Sequence, residues 1–186
     1  MRKTWFKTLC LTLLALAVFV LSARFTIQIP GIAVPQTAQT IALLILLALL
    51  PARIGIYTVL LYLILGALGF PFFADGASGL DYLFGKTGGY LAGFLIVAIW
   101  LRFIIRRLPL QKWWLSFFVA VKAHVAILFF GWLWLGWETG YRVAFAYGVQ
   151  PFLVGGLVKS LLAMPALVFA RRSQRFIAKY LGLQRF

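Results

Sequence analysis

Lys159 is the residue whose position most strongly indicates chemistry, because it places a charge inside an apolar stretch. The stretch begins near Val149, so at 1.5 Å per helical residue Lys159 lies about 15 Å into it. A charge at this depth of a membrane costs at least about 2.5–3.5 kcal/mol, so its side chain should face a bundle interior and have a partner. Two interpretations are open: a cation that binds a ligand at the base of an outward-facing cavity, or a structural ion pair with Asp75, Asp81 or Glu138.

The most glycine-rich stretch runs from Gly66 to Gly93 and reads GALGFPFFADGASGLDYLFGKTGGYLAG. It lies between two apolar runs and holds two of the three acidic residues, Asp75 and Asp81. So many glycines permit tight turns and close backbone approach, which a loop that closes over a small ligand needs. An ordinary flexible connector has the same composition, so both interpretations remain open at this point.

Three further features resemble functional groups but have a simpler explanation. Lys122 can extend its ammonium to the membrane surface, and His124 can form a hydrogen bond between helices with no further role. The string Gly85-Lys86-Thr87 resembles the end of a phosphate-binding loop, but position 80, where that motif requires a glycine, is a leucine. We therefore expect no ATP hydrolysis by this chain.

The chain offers little material for catalysis or metal binding. Cys10 is its single cysteine, which excludes an internal disulfide and a cysteine-based metal site. It contains neither a GxSxG nor an HExxH motif. The prediction is a protein that is not an enzyme and that holds no metal and no cofactor.

Composition places the chain in a membrane. Of its 186 residues, 64% are hydrophobic and 11% are charged, and the mean hydropathy is +1.01. Soluble proteins are about 45–50% apolar and about 25% charged, and runs of about 20 apolar residues predict membrane-spanning helices. The predicted fold class is an all-α integral membrane protein that forms a single transmembrane bundle over residues 1–186.

Six apolar spans can be drawn along this bundle: Trp5–Ala23, Ala38–Leu50, Ile54–Gly69, Thr87–Ile105, Trp114–Trp134 and Val149–Ala170. The second and third are short and are separated only by Pro51, Ala52 and Arg53, so one fused span and a total of five is the alternative. The first has the pattern of a signal peptide, but we interpret it as an uncleaved span because the topology of the remaining chain is then balanced.

The distribution of the 18 lysines and arginines favours six spans with both termini in the cytoplasm. This count places the basic clusters near Arg106 and Arg171 inside, as the positive-inside rule requires, whereas five spans would place the Arg106 cluster outside. The net charge of +15 is then a topology signal directed at anionic membrane lipids, and we expect no nucleic-acid partner. The predicted location is the cytoplasmic membrane, crossed several times.

Three motifs follow one another in the order of a known family. YLILGALGFPFFADGASG followed by GKTGGYLAGF, within residues 62–94, resembles the BioY family pattern YLxLGxxGxPVFAGGxGG…GPTGGYLxGF. VPQTAQT, residues 34–40, is similar to VPxTxQT, and YGVQPFLVGGLVKS, residues 147–160, is similar to GxxPFxxGDxxK. The first of these two segments offers hydrogen bonds at Gln36, Thr37, Gln39 and Thr40. The chain thus resembles a BioY protein over about residues 34–160.

The resemblance implies a six-helix, biotin-specific membrane subunit, the S component, of an energy-coupling factor (ECF) transporter. Such subunits take up the vitamin from outside and associate with a transmembrane coupling protein and two ABC-type ATPases, which supply the energy. Carried over by position, it implies that Asp75, Tyr90 and Lys159 contact biotin. The full expected substrate-binding set is Lys159, Asp75, Tyr90, Gln39, Gly88, Gly89 and Gly156.

One position departs from the family pattern where a binding residue is expected. The aspartate of GDxxK, which is expected to help bind the polar head of biotin, is Gly156 in this chain. A ureido N–H left without an acceptor in a desolvated site would cost about 1–3 kcal/mol. Our hypothesis is that Asp75, in the glycine-rich loop, supplies the missing acceptor.

The function predicted from the sequence is high-affinity biotin binding and uptake. Biotin fills an outward-facing pocket beneath the loops at residues 28–38 and 70–89, and Lys159 binds its ureido or carboxylate group. The first alternative keeps the fold but gives the pocket a different small acidic ligand, because of Gly156. The second is a membrane protein without transport function, either an enzyme or a structural assembly factor.

Overall fold

The computed structural model describes residues 2–27 and 36–183, which form an all-helical protein. This described part contains the helices α1 (Arg2–Ser22), α2 (Gln39–Leu49), α3 (Ala52–Ala67), α4 (Leu80–Leu83), α5 (Gly88–Arg107), α6 (Trp113–Thr139), α7 (Tyr141–Gly148) and α8 (Leu153–Leu181). The strands β1 (Thr26–Ile27) and β2 (Gln36–Thr37) pair antiparallel, and 3₁₀ turns cover Ala74–Gly76 and Gln150–Phe152. Residues 28–35, which belong to one of the predicted pocket loops, lie outside the described residues.

Four helical segments are long and apolar enough to cross a membrane: Thr4–Ser22, Gly88–Arg107, Trp113–Thr139 and Tyr141–Leu181. The helices α2 and α3 are apolar but shorter. Large apolar side chains such as Leu14, Leu162 and Phe169 are exposed on the faces of the bundle. Extended exposure of this kind is typical of a surface that meets lipid, so the prediction of an all-α membrane protein is confirmed.

The short helices α2 and α3 are separate because the chain breaks between them at Leu50 and Pro51. Leu50 is extended (φ −87°, ψ 149°), as the residue before a proline prefers to be. The proline ring fixes φ and has no N–H group to continue the helix. The helix α2 therefore ends at Leu49 and α3 begins at Ala52, so the fused helix considered from the sequence does not form.

The last helix continues beyond the apolar span that is predicted to end at Ala170. The helix α8 runs to Leu181, and Gly182 follows it in the left-handed conformation (φ 70°, ψ 28°), which glycine adopts without steric penalty. The basic segment after Arg171 is a continuation of α8. Hydropathy shows where the apolar layer ends, whereas a helix continues as long as its backbone hydrogen bonds do.

Aromatic rings from three helices meet in the centre of the bundle. Phe19 of α1 lies edge-on to Tyr62 of α3, with 4.7 Å between ring centroids, and 6.0 Å from Phe94 of α5. The helix α8 packs against α2 and α6, and α5 packs against α6. This last approach is close at Gly93, where an added Cβ would stand 3.1 Å from the Cα of Ile127. The packing brings the N-terminal ends of α2, α5 and α8 around one space.

At the other end of the bundle, α8 donates hydrogen bonds to the last carbonyls of two helices. Arg171 donates from Nε to the carbonyl of Ile105 and from Nη2 to that of Arg106, each at 2.6 Å. The amide of Gln174 donates to the carbonyl of Leu47 at 3.1 Å and to the next carbonyl at 3.0 Å. Carbonyls in the last turn of a helix have no partner within it. We call this region, where α8 ties α5 and α2 together, the capping end.

Candidate functional site

A pocket lies between the N-terminal ends of α2, α5 and α8 and the middle of α6. Its volume is about 70 Å³. The lining is mainly apolar, with polar groups from Thr37, Gln39, Thr40, Thr87 and Lys159. A few polar groups placed in an apolar cavity are typical of a small-molecule site.

Lys159 reaches this pocket from α8 and has a backbone partner. Its side chain is half-buried, and its Nζ donates to the carbonyl oxygen of Thr37 at 2.7 Å. Within the described residues this carbonyl is its hydrogen-bond partner, and the ion pair with Asp75, Asp81 or Glu138 is not formed. An ammonium has three donor positions, so two remain for other acceptors. The geometry therefore favours the ligand-binding interpretation of this lysine.

Gln39 and Tyr90, both predicted as site residues, also line the pocket. Gln39 is 3% exposed, and its Nε2 donates to the hydroxyl oxygen of Tyr62 at 2.6 Å. The hydroxyl of Tyr90 donates to the carbonyl of Gly148 at 2.7 Å. These bonds fix both side chains in place, so the structure brings Gln39, Tyr90 and Lys159 to one cavity.

Thr40 is a pocket residue that the sequence indicated only as a polar position of the VPQTAQT segment. Its Oγ1 atom is buried and has no hydrogen-bond partner among the residues that the structure describes. Leaving a buried hydroxyl unpaired costs about 1–3 kcal/mol, and such an atom in a native structure calls for an explanation. Because Thr40 lines the pocket, a ligand polar group is a direct candidate for its partner.

The glycine-rich stretch is anchored by Phe73 and is not a loose connector. The Phe73 ring is fully buried, stacks on Tyr82 at 5.1 Å and lies edge-on to Tyr62 at 5.4 Å. Gly66 permits this position, because a Cβ there would overlap the Phe73 ring. The N–H of Gly79 donates to the carbonyl of Gly66 at 2.7 Å and closes the loop. We call residues 66–79 the cover segment.

Asp75 lies on the outside of the cover segment and does not line the pocket. It is exposed, has a positive φ of 54°, and accepts a hydrogen bond at Oδ1 from the hydroxyl of Thr26. Arg24 makes a second link, from Nη2 to the carbonyl of Pro71 at 2.5 Å. Asp75 thus connects the cover segment to the residues after α1, and the structure does not bring it to the other predicted site residues.

The predicted glycines do not line the pocket either. Gly88 and Gly89 lie against α6, where a Cβ on Gly89 would overlap the side chain of Trp134. Gly156 is buried beside His124, but its added Cβ would stand 3.8 Å from the His124 Cβ, an ordinary contact. Helix packing therefore requires a small residue at position 89, whereas it leaves room for a side chain at position 156.

Sequence reasoning missed the aromatic side chains of the lining: Tyr62, Tyr82, Phe94 and Phe152. Tyr62, Phe94 and Phe152 stand inside the family motifs, and that position was the available signal. Burial raises the pKa of the Tyr82 phenol above its ordinary value, so its hydroxyl stays protonated at neutral pH. The rings give the pocket broad apolar walls with hydroxyl groups at their edges.

The arrangement can bind a ligand by one positive charge, several hydrogen bonds and apolar contact. Within residues 2–27 and 36–183, no group of three or more His, Cys, Asp or Glu side chains could hold a metal ion. The pocket therefore fits a small, partly apolar ligand with polar groups at its ends.

Known proteins resemble this chain over nearly its whole length. The model of the BioY family matches residues 1–176. The Biotin transporter BioY2 of Lactococcus lactis subsp. cremoris is 34% identical over 158 residues, which are 84% of this chain and 86% of the relative. The Probable biotin transporter BioY of Pyrococcus horikoshii is 33% identical over 163 residues, 88% of this chain and 94% of the relative.

The fold is also similar to that of a solved protein, the S-component for biotin from an ECF-type ABC transporter. The TM-score is 0.80 at 21% identity, over 92% of this chain and 94% of that chain. A likeness at this identity establishes the fold. The family and the names of its relatives confirm the prediction that the chain is not an enzyme. This chain belongs to the BioY family, as its three motifs predicted.

Proposed function

We propose that this chain binds biotin with high affinity and acts in its uptake as the substrate-specific S component of an ECF-type ABC transporter. The observation that carries the proposal is the half-buried Lys159 in the pocket of a BioY-family chain. Relatives that match 84% and 88% of this chain are named biotin transporters. The fold matches that of an S component for biotin.

The polar groups of the pocket are suited to the two polar ends of biotin. Lys159 keeps donor positions for a carbonyl or a carboxylate, and the hydroxyl of Thr40 lacks a partner among the described residues. Gln39 and Tyr90 are held at the edge of the same space, and the aromatic walls fit the fused ring. Gly88 and Gly89 act indirectly, since they let α5 pack closely on α6.

The cavity of about 70 Å³ is smaller than the roughly 300–1,000 Å³ of typical ligand pockets, so its lining has to expand for biotin to enter. The cover segment, which contributes Ala74 to the lining, is the part proposed to move. The segment is anchored by one ring, Phe73, and by the bonds of Arg24 and Thr26 at its outer surface. When it closes again over the ligand it excludes water, which strengthens the polar contacts inside.

The proposed topology is six membrane segments with both termini in the cytoplasm, in the cytoplasmic membrane. The positive-inside rule supports it, and each predicted span overlaps an apolar helix of the described structure. The proposed partners are the transmembrane coupling protein and two ABC-type ATPases of an ECF transporter. ATP hydrolysis then takes place in those partners, and the rearrangement of the complex releases biotin inside.

A biotin titration by calorimetry, on the purified protein in detergent, tests this function. We expect nanomolar binding that weakens on the order of 100-fold in Lys159→Ala, because a buried polar group of the ligand loses its charged partner. Lys122→Ala, which removes an exposed lysine of α6, is the matched control and should bind like the wild type. If the folded protein binds no biotin, the proposal is contradicted.

A different small acidic ligand is the second candidate, and Gly156 is the observation that favours it. The family motif has an aspartate at this position, whose carboxylate can accept hydrogen bonds. Glycine has no side chain and offers no such acceptor. Competition experiments separate the two ligands: biotin analogues with an altered ureido ring should compete poorly if biotin is the ligand. Equal competition by simple small acids would support the alternative.

A further inference from the structure

His124 carries a buried nitrogen without a partner beside the proposed binding site. Its side chain is 6% exposed, and Nε2 has no hydrogen-bond partner among the residues that the structure describes. The other ring nitrogen, Nδ1, lies 3.2 Å from the carbonyl oxygen of Ala120 and 2.9 Å from Oγ of Ser160. The Ser160 hydroxyl in turn lies 2.7 Å from the carbonyl oxygen of Gly156.

These contacts determine where the imidazole carries its proton. The Ala120 carbonyl can only accept, so an unprotonated Nδ1 would oppose it lone pair to lone pair. A protonated Nδ1 donates to Ala120 and Ser160, and Ser160 donates its own hydrogen to Gly156, so every contact is satisfied. In the neutral ring one nitrogen donates and the other accepts. Nε2 is therefore a buried acceptor.

His124 does not line the pocket itself but lies close to it, and its partner Ser160 follows Lys159 in α8. His124 is one helical turn from Ile127 and Leu128, which line the pocket from α6. Across from it, α8 presents Gly156, whose missing Cβ would stand 3.9 Å from His124 Cδ2, the ring atom bonded to Nε2. No side chain of position 156 stands between α8 and the imidazole. The imidazole thus lies beside the space that a side chain at position 156 would enter.

We propose that His124 is a ligand-binding residue whose Nε2 accepts a hydrogen bond from an N–H of the ligand. The inference rests on the proposed function, in which that donor is a ureido N–H of biotin. Binding already requires the pocket to expand, because its volume of about 70 Å³ is below the roughly 300–1,000 Å³ of typical ligand pockets. For the ligand to reach Nε2, the side chains of Ile127 and Leu128 have to move as well, since they line the pocket one helical turn from His124. The acceptor that Gly156 lacks is then supplied by His124, on the facing helix.

Two substitutions of similar size separate a binding role from a structural one. His124→Asn places an amide near Nδ1 and keeps a donor for Ser160, but it removes the acceptor at Nε2. His124→Gln places a carbonyl oxygen near Nε2. We expect biotin affinity to fall by on the order of 10- to 100-fold in the Asn variant, as for an unpaired buried N–H, and to recover in part in the Gln variant. Ser160→Ala, which leaves Nε2 intact, should bind almost normally.

Biotin methylated at one or the other ureido nitrogen makes the test independent of folding. Methylation at the nitrogen that faces His124 should weaken binding to the wild type and have little further effect in His124→Asn. Full-affinity binding of both methylated forms to the wild type overturns the inference without any variant. So does an Asn variant that keeps its affinity and loses only thermal stability. If unmodified biotin does not bind the wild type, the proposed function itself fails, and this inference with it.

Discussion

The helix α8 carries polar side chains to both the capping end and the pocket, and their partners there differ in kind. At the capping end, Arg171 and Gln174 donate to carbonyls in the last turns of α5 and α2. At the pocket, Lys159 keeps donor positions beyond its one bond, and two buried atoms, Thr40 Oγ1 and His124 Nε2, have no partner in the described residues. The fold itself completes the first set of contacts, and we propose that a ligand completes the second.

Because of this difference, substitutions at the capping end should change mainly stability, and substitutions at the pocket should change mainly ligand affinity. A polar group whose partner lies in the fold changes the free energy of unfolding when it is removed. A polar group whose partner arrives with the ligand makes no hydrogen bond in the free protein, so its removal lowers affinity without breaking a bond of the fold. The cover segment stands between these cases, because its ring Phe73 belongs to the core and its position controls access to the pocket.

The largest expected effect is that of Phe73→Ala in the cover segment. Replacing a buried phenylalanine by alanine costs about 3–5 kcal/mol, and Phe73 holds the segment by its contacts with Tyr82 and Tyr62. Bound biotin should then leave at least tenfold faster, because the open state of the segment becomes more populated. Dissociation of radiolabelled biotin, together with thermal unfolding, measures both effects.

Phe70→Ala is the matched control for this substitution, since Phe70 is 51% exposed in the same segment. It should leave both the dissociation rate and the unfolding temperature nearly unchanged. Equal dissociation rates in the two variants would show that the cover segment does not retain the ligand. The cover segment would then contribute to stability alone, as the capping end does.

The helices were predictable from the sequence because hydropathy depends only on which residues follow one another. Each predicted span overlaps a helix, and the break at Pro51 follows from the chemistry of that one residue. The helix α8 extends beyond the apolar span predicted to end at Ala170, because its last part is basic and still helical. Charge and hydropathy describe the surroundings of a helix and not the extent of its hydrogen bonds.

The site was predictable only where a charged or polar residue interrupts an apolar stretch of the sequence. Lys159 is a charge in an apolar run, and it does line the pocket. Asp75 was singled out in the same way, but the direction of its side chain depends on a positive φ and on Thr26, 49 residues away. Gly89 was assigned to the ligand although it serves contact with α6. Which face of a helix points inward is a property of the packing, so hydropathy alone could not supply it.

At the capping end, Gln174→Leu should reduce stability and leave affinity unchanged. The amide is 7% exposed and donates to two carbonyls at the end of α2, so its removal leaves them unpaired. We expect a loss of about 1–3 kcal/mol in the free energy of unfolding. The control is Arg175→Leu, which introduces the same side chain at the next position, where the residue is exposed. Its free energy of unfolding should stay within about 0.5 kcal/mol of the wild-type value. A Gln174→Leu protein that binds biotin much more weakly would contradict the separation of the two ends.

The smallest expected effect concerns the link between Asp75 and Thr26. A single partly exposed hydrogen bond contributes about 0.5–1.5 kcal/mol, so Asp75→Ala and Thr26→Val should each weaken biotin binding less than about tenfold, through a looser cover segment. If this bond is the whole effect, the double variant should bind like either single one, because the interaction can be lost only once. Calorimetric titration of the three variants measures this cycle. A loss in Asp75→Ala far beyond that in Thr26→Val would instead mean that Asp75 turns inward and accepts a hydrogen bond from the ligand, as the sequence first suggested. The acceptor missing at Gly156 would then come from the cover segment, and His124→Asn would bind biotin normally.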